Sequence, residues 1–142
     1  MSKQITDLEP DYKLNDNENY MCDKQLEYFR RKLLIWKDEL RVESGETLKY
    51  LREENWNEPD VSDRATVEEE VRIELRTKDR CRKLIDKIDS ALMRIEKKEY
   101  GFCEETGEPI GIRRLEARPI ATLCIEAQER HERFERNHND DI

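Results

Sequence analysis

The stretch Leu26-Glu27-Tyr28-Phe29-Arg30-Arg31-Lys32-Leu33-Leu34-Ile35-Trp36-Lys37-Asp38-Glu39-Leu40 decides the architecture. Leu26, Phe29, Leu33, Trp36 and Leu40 alternate steps of three and four. That spacing gathers apolar side chains into one seam along a helix, and the seam requires a partner helix. The stripe continues, diluted, through Thr47 to Tyr50 and Leu51, so residues 21–55 read as one helix. Gly45 weakens its middle by ~1 kcal/mol relative to alanine without ending it.

The partner follows a short break. Asn57-Glu58-Pro59-Asp60-Val61-Ser62-Asp63 is turn chemistry, with Ser62 and Asp63 both suited to cap a helix start. Glu68, Glu69 and Glu70 then place negative charge near that start, where the helix dipole favours it. From Arg64 to about Lys98 a second stripe runs through Val67, Val71, Leu75, Cys81, Ile85, Ile88, Leu92 and Ile95. Two such helices with a short link run antiparallel, each roughly 50 Å long. No third long helix is available to cover them, so the expected hairpin projects into solvent with an acidic tip.

The totals agree with long exposed helices. The chain has 142 residues, 44% of them charged and 35% hydrophobic, and a formal net charge of −8. Regular apolar stripes argue against disorder as the reason for so much charge. An acidic chain is poorly suited to accumulating on phosphate backbones and better suited to a basic surface. No stretch approaches the ~18 apolar residues of a membrane span, and the polar start has no secretory signal, which places the chain in the cytoplasm. Disulfides are not expected there, so the four cysteines raise a metal or redox question instead.

Residues 1–20 read as a loosely packed arm, equally compatible with a tail or a docked segment. Residues 21–98 form the hairpin with its tip at 57–65, and residues 99–142 a small module ending in a helix. The expected fold is mainly α: a long antiparallel coiled-coil hairpin, a zinc-ribbon-like globular module and a C-terminal helix. Ala121, Cys124, Ala127, His131 and Phe134 carry that last helical spacing, with fraying expected from Asn137. The module holds the frame of a four-cysteine zinc site with half its ligands missing. Cys103 pairs at the right distance with Thr106, and Cys124 with Ala127. Structural zinc wants four thiolate or imidazole ligands; threonine is a poor one and alanine is none. We therefore expect no zinc and no tightly bound cofactor. A thiol-sensing role for Cys103 and Cys124 is a minor alternative, and Cys22 and Cys81 read as packing residues.

Gly107-Glu108-Pro109-Ile110-Gly111-Ile112-Arg113-Arg114-Leu115-Glu116-Ala117-Arg118-Pro119, followed by Leu123-Cys124-Ile125, closely resembles the signature of the DksA/TraR family. Asp60 to Ala65 with Glu68-Glu69-Glu70 resembles the family's hairpin tip. Glu74-Leu75-Arg76, Asp79-Arg80 and Arg82-Lys83-Leu84-Ile85 resemble its second coiled-coil helix. The resemblance spans roughly residues 20 to 135 and departs from the usual family pattern at Thr106 and Ala127.

It implies a transcription factor that inserts its tip into the secondary channel of RNA polymerase and lowers the stability of promoter complexes. Asp60, Asp63 and Ala65 would be the tip contacts, with Ala65 kept small by a narrow passage. Arg80, Lys83 and Leu84 match positions that grip the channel rim. They lie in a locally basic stretch, residues 72–87, with seven basic and three acidic side chains. Lys87, Arg118 and Gln128 match positions that bind guanosine tetraphosphate at the shared interface with polymerase. Gln128 replaces a cation there, which weakens the expected alarmone response. Read without the resemblance, Asp63 is a helix cap, Asp60 a turn residue, and most of the basic side chains a solvated face.

The same residues leave rival classes open. A zinc-ribbon-derived DNA binder would use Arg113, Arg114 and Arg118, offset by Glu104, Glu105, Glu108 and Glu116. A coiled-coil scaffold or holdase would need the hairpin alone. An enzyme is disfavoured: two histidines in a charged C-terminal segment and no Gly-rich phosphate loop or nucleophile elbow give catalysis nothing to work with. The heptads can satisfy each other within one chain, so a monomer is expected.

Overall fold

A computed structural model describes residues 3–55 and 61–140, with side chains placed over 3–45 and 64–138. Among the described residues four helices follow one another: α1 Asp23–Asn55, α2 Val61–Glu96, α3 Ile112–Ala117 and α4 Ile125–Asp140. Among the described residues there is no strand, only an isolated antiparallel bridge between Phe102 and Pro109. Among the described residues no helix is long and apolar enough to cross a membrane. The chain divides into two compact units, Leu33–Asp89 and a second formed by Met1–Lys32 with Ser90–Ile142.

The first unit is the hairpin. Lys37 Nζ meets Asp89 at 2.6 Å and Arg80 Nη2 meets Glu43 at 2.8 Å. Partner numbers fall along α2 as they rise along α1, which is the antiparallel register. Leu33, Leu40, Cys81 and Ile88 are buried at 0–3% exposure, each contributing roughly 1.5–3 kcal/mol where a whole aliphatic side chain leaves water. Trp36 and Ile85 are half-buried.

Two expectations fail here. Leu75 does not complete the stripe: it is exposed, as is Ile73, and Glu74 between them is buried. The stepping of three and four does not carry through from Val71 to Cys81, so the helical twist turns Leu75 away from the seam. Ser62 and Asp63 do not stand before the helix, because α2 already begins at Val61 and includes both in its first turn. Asp60 lies outside the described residues, as do the side chains of Asp63, Thr47, Tyr50 and Leu51.

The second unit is built around Tyr100, Phe29, Ile95, Leu115 and Ala127, all nearly inaccessible. The N-terminal arm is docked, not loose. Glu27, whose side chain is fully buried, accepts a hydrogen bond from the Ile5 amide at 2.9 Å. It also accepts from Arg30 Nε (2.8 Å), Arg30 Nη2 (2.7 Å) and Arg31 Nε (2.8 Å). Four donors on one carboxylate compensate its removal from water. Farther along, Tyr20 donates its hydroxyl hydrogen to the Gly101 carbonyl at 2.6 Å and accepts from the Gly111 amide at 2.9 Å. Its ring meets Phe102 edge-on at 5.5 Å.

The short helix α3 was not anticipated, and α4 starts at Ile125, later than the spacing from Ala121 suggests. Ala121 and Cys124 are buried instead in the loop ahead of it. Phe134 is 67% exposed and stacks on His138, and the helix continues to Asp140 through the segment where fraying was expected.

Candidate functional site

In the hairpin unit the residues of interest lie on α2. Ala65 is exposed, one turn from the helix start. Arg80, Lys83 and Leu84 stand at i, i+3 and i+4, the spacing that makes neighbours on one helical face. Arg80 is exposed and bonded to Glu43; Lys83 is exposed and pairs with Asp79 at 3.0 Å; Leu84 is half-buried. Asp79 also accepts from Arg82 at 2.7 Å, and Lys83 followed by Arg82 holds its carboxyl below the ordinary carboxylate value. Exposed pairs of this kind contribute only ~0–1 kcal/mol each, so a binding partner can exchange them at little cost. Lys87 is exposed on the same helix.

Arg118 and Gln128 belong to the other unit. Arg118 is exposed and caps the C-terminus of α3, its amide donating to the Arg114 carbonyl at 2.8 Å. Gln128 is half-buried in the first turn of α4 and bonds Glu132 at 3.3 Å. Two features of this unit carried no sequence signal. One is the cluster at the end of α3, where Tyr28 and Lys32 meet Glu116 from 88 and 84 positions away in the chain. The other is an open cleft of about 520 Å³ lined by Arg94, Lys98, Phe102 and Cys103 with Glu99 and Glu104.

The cysteine frame does come together. Cys103 and Cys124 are both buried, and the Thr106 hydroxyl lies 3.8 Å from the Cys124 sulfur. Burial pushes the Cys103 thiol up, but the Thr106 hydroxyl and the amides of Cys124, Thr106 and Glu105 outweigh it and lower the thiol to about 6. A ring of amides aimed at sulfur is what a thiolate centre uses. The ligand set nevertheless does not fit zinc. Thr106 offers a hydroxyl, and the Ala127 methyl is fully buried where a fourth ligand would stand. Glu105 is engaged by His131. Among the described residues no three His, Cys, Asp or Glu side chains are grouped to hold a metal. The module is instead closed by apolar packing and by Tyr100, whose buried hydroxyl donates to the Pro119 carbonyl at 2.6 Å. Prolonged chelation should therefore leave the thermal midpoint unchanged and elemental analysis should find essentially no zinc. A drop in midpoint with stoichiometric zinc release would overturn this.

Comparison with known proteins places these residues in context. The family described as DnaK suppressor protein DksA, N-terminal domain, matches residues 25–95. The prokaryotic dksA/traR C4-type zinc finger matches residues 98–133. A relative from Caulobacter vibrioides, named RNA polymerase-binding transcription factor DksA, is 59% identical over 131 residues, 92% of each chain. The protein of the same name from Escherichia coli K12 is 48% identical over 124 residues, covering 87% of this chain and 82% of the relative. Among solved structures, transcription factor DksA2 from Pseudomonas aeruginosa superposes with a TM-score of 0.75 at 47% identity, covering 82% of this chain and 90% of the other.

Proposed function

The chain belongs to the DksA/TraR family, and on that premise we propose that it is a transcription factor that binds RNA polymerase directly, in the secondary channel, without reading DNA sequence. The observation that carries this reading is the near full-length relationship to proteins named as RNA polymerase-binding transcription factors. The hairpin unit supports it physically. An antiparallel helix pair is stiff, because each helix buries the other's seam, and its cationic face at Arg80 and Lys83 carries exchangeable surface pairs.

Asp60, Asp63 and Ala65 act at the tip, toward the polymerase catalytic centre, and Arg80, Lys83 and Leu84 hold the channel rim. The consequence is a less stable promoter open complex. Guanosine tetraphosphate strengthens the effect. Lys87 and Arg118 supply cations for its pyrophosphate groups, and Gln128 supplies a hydrogen bond without charge, which limits the response. The protein works as a monomer in the cytoplasm, has no catalytic activity of its own and holds no tightly bound cofactor.

The test is in vitro transcription from a ribosomal RNA promoter with purified bacterial polymerase. The parent should inhibit, and guanosine tetraphosphate should enhance the inhibition. Asp60→Asn/Asp63→Asn should still bind polymerase yet lose most of the inhibition, about tenfold or more in the concentration needed, equivalent to about 1.4 kcal/mol. A parent that neither binds polymerase nor alters initiation, or that instead binds free duplex DNA with steep salt dependence, would overturn the reading.

A further inference from the structure

Arg118 owes its place to contacts made by residues far from it in sequence. The helix that carries it, α3, is only six residues long and has no side-chain cap at its start. A helix of that length has little stability of its own, so its end must be held from outside. Two residues before Arg118, Glu116 is tied to α1 three times. Tyr28 donates its hydroxyl to Glu116 Oε1 at 2.7 Å. Lys32 Nζ reaches the same oxygen at 3.0 Å and the Glu116 backbone carbonyl at 2.9 Å. On the other side, the Pro119 carbonyl is held by the buried Tyr100 hydroxyl, and the Ala121 amide donates to the Arg118 carbonyl at 3.0 Å. The backbone at Arg118 is thus clamped before and after, while its side chain is exposed.

The clamp also manages charge. Glu116 is the acidic side chain next to Arg118 in the chain, and an anion approaching Arg118 would meet its field. Lys32 neutralises that carboxylate at contact distance, with its ammonium also above the Tyr28 ring at 6.0 Å. The Tyr28 hydroxyl keeps its proton to donate: burial, then the hydrogen bond and charge of Glu116, push it up to about 12.

We propose that Tyr28 and Lys32 are positioning residues for the alarmone-binding Arg118, fixing the end of α3 and cancelling the Glu116 charge so that a pyrophosphate group can approach. This rests on the assignment of Arg118 to guanosine tetraphosphate made above. Neither residue touches the ligand; both act through Glu116. Lys32 acts mainly through charge and Tyr28 mainly through orientation, so their substitutions have different remedies.

The experiment measures inhibition of a ribosomal RNA promoter by the full chain and polymerase holoenzyme, with and without a titration of guanosine tetraphosphate. Lys32→Met and Tyr28→Phe should inhibit normally without the alarmone but need about fivefold more of it for half the added effect, the size expected from one exposed charged contact. Lys32→Arg should restore the parent response. So should Lys32→Met combined with Glu116→Gln, because removing the carboxylate removes the need for its counterion. The proposal is overturned if both single variants titrate like the parent. It is equally overturned if alarmone-independent inhibition and thermal stability fall in step with the alarmone response, since the clamp would then be only structural. If Arg118→Ala responds to the alarmone as the parent does, the underlying assignment fails and this proposal fails with it.

Discussion

Glu27→Ala should lower the free energy of unfolding by about 3–5 kcal/mol, because it removes a buried carboxylate that compensates the buried Arg30 guanidinium. The Glu27 side chain is wholly inaccessible and that of Arg30 is 10% exposed, and together with Arg31 and the Ile5 amide they form one network. Cutting the carboxylate removes two hydrogen bonds from the buried Arg30 guanidinium and the acceptor of the Ile5 amide. For a chain of this size that loss corresponds to a fall in thermal midpoint of roughly 10 °C or more, readable by circular dichroism at helical wavelengths. A change below about 1 kcal/mol would mean that the arm and its network contribute no net stability.

The same network sets an acid limit. Burial alone would raise the Glu27 carboxyl, but the hydrogen bonds from Arg30, the Ile5 amide and Arg31 hold it down to about 2, against an ordinary 4.5. A carboxyl depressed on folding stabilises the native state fully above its unfolded value, and that contribution disappears as pH falls toward the folded value. The parent should therefore lose about 3 kcal/mol of stability between roughly pH 5 and pH 2 from this group. Glu27→Gln should start lower and show a flatter acid limb. A parent and variant with parallel pH profiles would assign acid sensitivity to other carboxylates.

The second large effect is expected at Gly101→Ala, about 2–4 kcal/mol from strain and overpacking together. Gly101 has φ +92°, a backbone region that L side chains rarely adopt. A Cβ there would lie 2.6 Å from Met21 Cγ, 2.8 Å from Met21 Sδ and 3.2 Å from the Tyr20 hydroxyl. Met21 is buried, and its own φ of +54° leaves it little freedom to withdraw. The Gly101 carbonyl accepts from both Tyr20 and the Ile110 amide, so a shift there loosens the arm and the module together. Increased proteolysis of the first 20 residues should accompany the fall in midpoint. Met21→Ala should recover part of the loss in the double variant, which separates the clash from the backbone strain. A Gly101→Ala chain as stable as the parent would show that the Met21 side chain moves aside freely.

The hairpin was legible because a heptad seam is a local pattern with one physical solution. Leu26, Phe29, Leu33 and Leu40 against Cys81, Ile88, Leu92 and Ile95 can leave water only by packing helix on helix, and a short turn makes that packing antiparallel. The degenerate cysteine frame was legible for a similar reason, since ligand chemistry is a property of the residue type: a methyl at position 127 binds no metal wherever it is placed. The signature around Gly107 to Pro119 also pointed to the family without any geometry.

Where the pattern thinned, local reading failed. Leu75 is apolar and near the right spacing, yet it faces solvent while Glu74 is buried, because accumulated twist and not residue type decides which face meets the partner. The docking of the arm, the clamp of Tyr28 and Lys32 on Glu116, and the crowding of Met21 against Gly101 depend on residues up to 91 positions apart. Glu27 gave no hint of burial, since its neighbours in the chain suggest only exposed pairs one turn away. Repeating apolar residues therefore settled the helical architecture from their spacing alone. Which charges are buried, and which side chains hold the end of α3, emerged only on folding, because long-range contacts leave no periodic trace in the chain.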